Sequence, residues 1–193
     1  FPDYTDMVCG RQCRKTIKYI MRDTRFDVTL EGVEAYLFPD EVKVFVDIAN
    51  DLRAIIETPA LDGDDPVRER LFPRAYLDPT EENAEISWAA FSHPELLESR
   101  ILTLEVLIES LKRLELAKPE SDAGEMQVVV LTMSETEHWL KGLNDLRLAL
   151  GTRLNIETEA DNEPDEGDPT NALRQIYTWL SALQQDLLEQ VYL

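Results

Sequence analysis

Residues 134–156, SETEHWLKGLNDLRLALGTRLNI, constrain the fold more than any other stretch of the chain. Ser134 and Glu137 have the S-x-x-E spacing of a capping box, in which hydroxyl and carboxylate each satisfy a backbone N–H left free at a helix start. A helix is therefore predicted from about Ser134. Beyond it Trp139, Leu143, Leu146, Leu150 and Leu154 recur at three- and four-residue steps, so one side of the helix must be buried. Asn144, Arg147 and Gly151 form an adjoining stripe. A hydrogen-bonding pair ending in a residue without a side chain predicts that another segment packs closely there, with Asn144 and Arg147 anchoring neighbouring backbone.

The remaining elements arrange themselves around this central helix, about 134–154. Residues 25–30 and 33–38 are short runs rich in Phe, Val, Thr and Tyr joined by Glu31-Gly32, and they read as a β-hairpin. Pro39 suits the first turn of a helix extending to Glu57, with Val42, Val44, Phe45, Ile48, Ala49, Leu52 and Ile55 or Ile56 on its apolar face. Pro66 opens a short helix that Pro73 closes. A helix after Asp78-Pro79 is predicted to break near Ser92-His93-Pro94, where a longer one begins with Leu97, Ile101, Leu104, Ile108 and Leu111 buried. The valine run 127–131 is too short for a helix and supplies a third strand. Residues 157–168 have the composition of a solvated acidic linker. Asp168 and Pro169 start a last helix, whose Leu173, Ile176, Leu180, Leu183 and Leu187 would face either the core or a second copy of the chain. The expected fold is mostly α, an α+β arrangement of five to six helices around the central one, with a small three-stranded antiparallel sheet. One domain spans 25–193, and 1–24 form a basic arm.

With 193 residues, 44% of them hydrophobic, the chain can build one sizeable core. Its net charge of −20 opposes direct binding to nucleic acid, because a phosphate backbone repels such a field. Proteins with basic surfaces are the expected partners. No apolar run reaches the roughly 20 residues needed to span a bilayer, and no stretch reads as a leader, so a cytoplasmic protein is expected. The chain opens on Phe1, which makes Met7 a candidate start and leaves residues 1–6 without assigned meaning.

Chemistry is sparse. His93, His138, Cys9 and Cys13 supply a metal poorly, no cofactor is implied, and Glu135-x-x-His138 is half of a di-iron helix motif without its other half. A nucleophile elbow, a P-loop, a dinucleotide fingerprint and a zinc-protease motif are all absent. Asp145 and Arg147 read as salt-bridge or loop-anchoring groups, Trp88, Trp139 and Trp179 as core, and no enzyme is expected. Cys9 and Cys13 are different. On a helix they share a face with Cβ atoms about 5–6 Å apart, whereas a relaxed disulfide wants about 3.5–4.5 Å. Closing the bond would distort the turn, which Gly10 eases. Arg11, Arg14 and Lys15 favour the thiolate that oxidants attack. The pair is thus either a switch that reshapes the arm or two ordinary thiols within it. The arm is itself either an amphipathic helix docked on the body, through Cys9, Cys13, Ile17 and Ile20 or Met21, or a free basic segment.

The run WLKGLNDLRLALGTRLN, 139–155, closely resembles the signature of an actinobacterial domain-of-unknown-function family that includes an oxidative stress regulator. DPVRERLFPRAY at 65–76 and YTWLSALQQDLL at 177–188 are similar to further segments of that family. The resemblance runs from about Phe26 to the C-terminus, with Trp139, Asn144, Asp145, Arg147, Gly151 and Arg153 as its structural signature. It implies a small regulator acting through protein contacts. In the stress-regulator branch it implies a redox-sensing Cys-x-x-x-Cys pair matched by Cys9 and Cys13, and a transcription partner such as a sigma factor or RNA polymerase. The expected function is a redox-responsive transcriptional regulator, with a constitutive adaptor or scaffold as the alternative.

Overall fold

Alternating apolar residues build the first element among the described residues, a hairpin of β1 (Phe26–Val28) and β2 (Val33–Leu37). Thr29 N–H donates to the Gly32 carbonyl at 2.8 Å across the turn. Gly32 has φ +145°, and a Cβ there would lie 2.1 Å from the Leu131 carbonyl oxygen, so only glycine fits. The third strand, β3 (Gln127–Leu131), pairs antiparallel with β2 in the order β1-β2-β3, placing Val33 opposite Leu131 and Ala35 opposite Val129. Phe26, Val33, Ala35, Leu37, Val129 and Leu131 form the inner face and are buried. This computed structural model describes residues 24–58, 65–116, 126–163 and 168–192.

Among the described residues five α-helices cover that inner face and one another: α1 (Pro39–Glu57), α2 (Pro66–Leu71), α3 (Glu82–Leu116), α4 (Met133–Arg153) and α5 (Asn171–Tyr192). Helix α1 starts where Pro39 presets the backbone and Glu41 reaches back to accept the Phe38 N–H at 2.8 Å. The same carboxylate receives both Arg25 guanidinium nitrogens at 3.0 Å, so the start of the hairpin is tied to the start of α1. In α2, Pro66 follows Asp65, whose carboxylate caps the Val67 N–H. Helix α4 is central, touching α1, α2, α3, α5 and β3. Trp139 is its largest fully buried residue, edge-on to Phe26 and Phe45 at centroid distances of 6.0 and 5.5 Å.

The α+β class, the small antiparallel sheet and the central helix agree with the sequence reading. Four local expectations do not. Helix α4 is capped by Thr132, which accepts the Glu135 N–H at 3.2 Å while Glu135 accepts the Thr132 N–H at 2.8 Å. The sequence holds two overlapping S/T-x-x-E frames, and the earlier one operates because β3 ends at Leu131, leaving Thr132 to turn the chain. The break predicted near Pro94 is absent, and α3 runs through it as one helix of 35 residues. Proline removes its own N–H and crowds the carbonyl four residues back, here that of Ala90. Both Ala90 and Pro94 are exposed, so that carbonyl keeps access to water. Residues 157–163, expected as a solvated linker, carry a short 3-10 helix at Glu159–Asn162. The Asp161 carboxylate accepts both the Glu157 and Thr158 N–H groups, and Asn162 donates to Thr178 at 2.8 Å. Asp168 accepts the Thr170 N–H at 2.7 Å, but α5 begins only at Asn171.

The cost of proline within a helix makes Pro94→Ala a stabilising change, by up to about 3 kcal/mol if the helix otherwise stays the same. Urea unfolding checks this through a rise in the transition midpoint.

Candidate functional site

The signature stretch on α4 divides its side chains among three neighbours. Asp145, only 5% exposed, faces α3 and pairs with Arg100. Arg100 also donates to the Leu71 carbonyl at 3.0 Å and lies over the Phe72 ring at 5.7 Å. One guanidinium thus joins α4, α3 and the end of α2. Arg147 faces α5 instead, donating to Ser181 at 2.8 Å and to Gln184, with its guanidinium 5.7 Å from the Tyr177 ring centre. Gly151 meets that ring too: a Cβ built there would stand 3.4 Å from it. Arg153 pairs with Asp65, the capping residue of α2. Trp139 donates its indole N–H to the Ser110 hydroxyl on α3 at 2.7 Å. Asn144 alone of the stripe is exposed, so it does not join Arg147 in anchoring a neighbour.

The arrangement fastens α2 and the loop after it. Buried Glu85 on α3 accepts the Ala75 and Tyr76 N–H groups at 2.9 Å, and Arg68 caps the end of α1 through the Ile56 and Thr58 carbonyls. Beside this loop lies a cleft of about 930 Å³ lined by Phe72, Leu77, His93 and Leu97 among others. Leu77 stands out at this cleft at 82% exposure, and Ile86 and Phe91 on α3 are 58 and 83% exposed. Glu135 and His138 do not work as a pair, since Glu135 binds Arg113 while His138 Nδ1 sits 3.1 Å from the Thr103 hydroxyl. Among the described residues no group of three His, Cys, Asp or Glu side chains is placed to hold a metal ion. None of the described helices is long and apolar enough to cross a membrane. Cys9, Cys13, Arg11, Arg14 and Lys15 lie outside the described residues.

Sequence reasoning singled out Asp145 but not its partner, nor Gly142, where a Cβ would come within 2.9 Å of the Leu107 side chain. The available signal was charge on an apolar stripe. Arg100 follows Leu97 and precedes Leu104 on α3, as Asp145 stands between Leu143 and Leu146 on α4, and two opposite charges so placed must find each other.

The profile of the family described as a domain of unknown function, DUF2017, matches residues 21–191. The chain belongs to the DUF2017 family. It is 32% identical over 136 residues to a Mycobacterium leprae protein bearing the AosR name, covering 65% of this chain and 58% of that protein. It is 27% identical over 135 residues to the oxidative stress regulator AosR of Mycobacterium tuberculosis and of Mycobacterium bovis, covering 64% of this chain and 57% of each. The matched stretch thus spans less than two thirds of these relatives. No solved structure matches the chain. In this DUF2017 member the signature run is the helix that holds α2, α3 and α5 in register.

Burial holds the Asp145 carboxyl above its ordinary value, while the hydrogen bond and charge of Arg100 pull it back down. A carboxyl so raised binds its proton more tightly in the folded state. Its contribution to stability is therefore full below the unfolded value and is lost as pH rises through the folded one. Arg100→Met removes the opposing cation, so the folded value climbs further. We expect that variant to lose about 3–5 kcal/mol at neutral pH, and to recover part of the loss as the pH falls to about 4 and Asp145 is neutralised. Urea midpoints for both proteins across that range test it; a loss independent of pH would assign the effect to packing of Arg100 on Phe72.

Proposed function

We propose that this chain is a cytoplasmic, redox-responsive transcriptional regulator that works through protein contacts and has no catalytic activity of its own. The observation that carries the reading is the likeness, at 27–32% identity, to AosR proteins, which are named as oxidative stress regulators. The sequence adds a Cys9-x-x-x-Cys13 pair set among Arg11, Arg14 and Lys15. A peroxide would supply the oxidant. One thiolate attacks the O–O bond, giving a sulfenic acid and water; the second thiol displaces that oxygen as another water, leaving the disulfide and peroxide reduced by two electrons.

Protein contacts are supported by the exposed Leu77 at the cleft and the exposed Ile86 and Phe91 on α3, apolar side chains in water on a chain of net charge −20. Such a surface suits a basic protein partner, and a sigma factor or RNA polymerase fits that description. The strongly shielded ionisable groups, Asp145 and Glu85, are both engaged in holding helices and loop together.

Mild peroxide should remove two hydrogens from the peptides carrying Cys9 and Cys13, as read by mass spectrometry after digestion, and dithiothreitol should restore them. Persistent free thiols overturn the switch. Capture of RNA polymerase components from the native host should differ between oxidising and reducing conditions for the natural chain and not for Cys9→Ser/Cys13→Ser. Equal capture by the natural chain in both conditions would make it a constitutive adaptor.

A further inference from the structure

Folded chains leave few contiguous apolar clefts open to water, and one that persists marks a surface with a further use. Such a cleft lies where α1 and α5 both rest on α4. At one end Phe45 of α1 meets the Trp179 ring of α5, with centroids 5.5 Å apart. Beyond that contact a groove of about 590 Å³ opens between the two helices. Ile48, Leu52 and Ile55 form its α1 wall and Leu173 and Ile176 its α5 wall, over a floor of Leu146, Ala149 and Leu150 from α4. The apolar positions on α1 are i, i+4 and i+7, so that wall is two turns long, about 10 Å. Ile48, Ile55, Leu150 and Ile176 pack on the core with part of their surface left open, and Leu173 is half-buried as well.

Charge around the groove is one-sided. Arg153 on α4 is met by Asp65, and Arg174 on α5 by Asp168. Asp51 lines the groove on α1, and Asp47 stands one turn before it on the same side of that helix. Neither has an ion-pair partner among the described residues. Two unmatched carboxylates thus border an apolar trough on a chain of net charge −20. That field repels a second copy of the same chain. The segment that fits carries apolar side chains at helical spacing with positive charge beside them.

We propose that this groove docks a basic amphipathic helix of a partner protein. Its apolar side chains at i, i+4 and i+7 lie between α1 and α5, and its lysines or arginines stand over Asp47 and Asp51. Recognition of a helix in a groove uses such anchors, and opposite charge at the rim speeds encounter and fixes orientation. The proposal rests on the reading of the chain as one that works through protein contacts, and it does not involve the cysteine pair.

The probe is a synthetic helix of leucine and lysine, with leucines at i, i+4 and i+7, titrated into the full chain under reducing conditions. Fluorescence anisotropy gives its affinity, and isoleucine-methyl NMR gives the place. The methyls of Ile48, Ile55 and Ile176 should shift, and those of the exposed Ile86 on α3 should not. Asp47→Lys/Asp51→Lys should weaken binding about tenfold, as two ion pairs lost and two repulsions gained would. Glu95→Lys/Glu98→Lys makes the same change of charge on α3, which lines no part of the groove, and should weaken it less than about threefold at physiological salt. Failure of the peptide to bind, equal losses for the two double variants, or shifts confined to Ile86 overturn the proposal. Shifts of the groove methyls on concentrating the chain alone place a second copy there and overturn it likewise. Each of these results leaves the capture of RNA polymerase components to be read separately, so the groove can fail while the wider reading stands.

Discussion

A carboxylate taken out of water is tolerated only beside a cation, and the architecture of this chain turns on one such pair. Asp145 is too buried to be charged without help, and Arg100 reaches it from the neighbouring helix. Because Arg100 also holds the Leu71 carbonyl and covers Phe72, the solution to one desolvation problem fixes where α2 ends and where the following loop begins. Arg153 on Asp65 and Glu85 on Ala75 and Tyr76 then secure the two sides of that same unit. A short helix of six residues would not hold its place by its own apolar contacts, so these polar ties decide its position.

What could be read from the sequence was what neighbours along the chain decide. Pro39 and Pro66 opened helices, Glu31-Gly32 turned a hairpin, and periodic apolar residues marked the buried sides of α1, α4 and α5, all of which depend on residues a few places apart. The misreadings came where distant context chose between local options. Pro94 signals a break when its helix must bury that turn, and here the turn faces solvent. Thr132 and Ser134 offer equivalent caps, and only the end of β3 selects between them. Asp161 sits in a stretch whose composition speaks for solvation, yet its carboxylate closes a local turn and its carbonyl is bound by Arg174 from α5.

The same division applies to the site. Asp145, Arg147 and Gly151 were legible as a stripe because helical spacing is a local rule. Their partners were not, since Arg100 is 45 positions from Asp145, and Ser181 is 34 from Arg147. The pattern nonetheless has a physical order: the face toward α3 is joined by a buried ion pair and the indole of Trp139, and the face toward α5 by hydrogen bonds and an aromatic ring under a guanidinium. The first kind of joint is costly to break and the second is more forgiving, because its groups keep access to water.

Helix α3 carries one further mechanical implication. Its second half is wrapped by other elements, whereas the half before Arg100 is held mainly through Glu85 on the loop at Ala75 and Tyr76. From Arg100 to Glu82 is 18 residues, about 27 Å of helix that moves together with that loop. A tilt of about 10° at Arg100 would carry the far end through roughly 5 Å, since displacement grows with distance from a pivot along a straight helix. Phe91 and Ile86 ride on that arm. A load applied to them would be delivered, with leverage, to the one ion pair on which α2, α3 and α4 all rest.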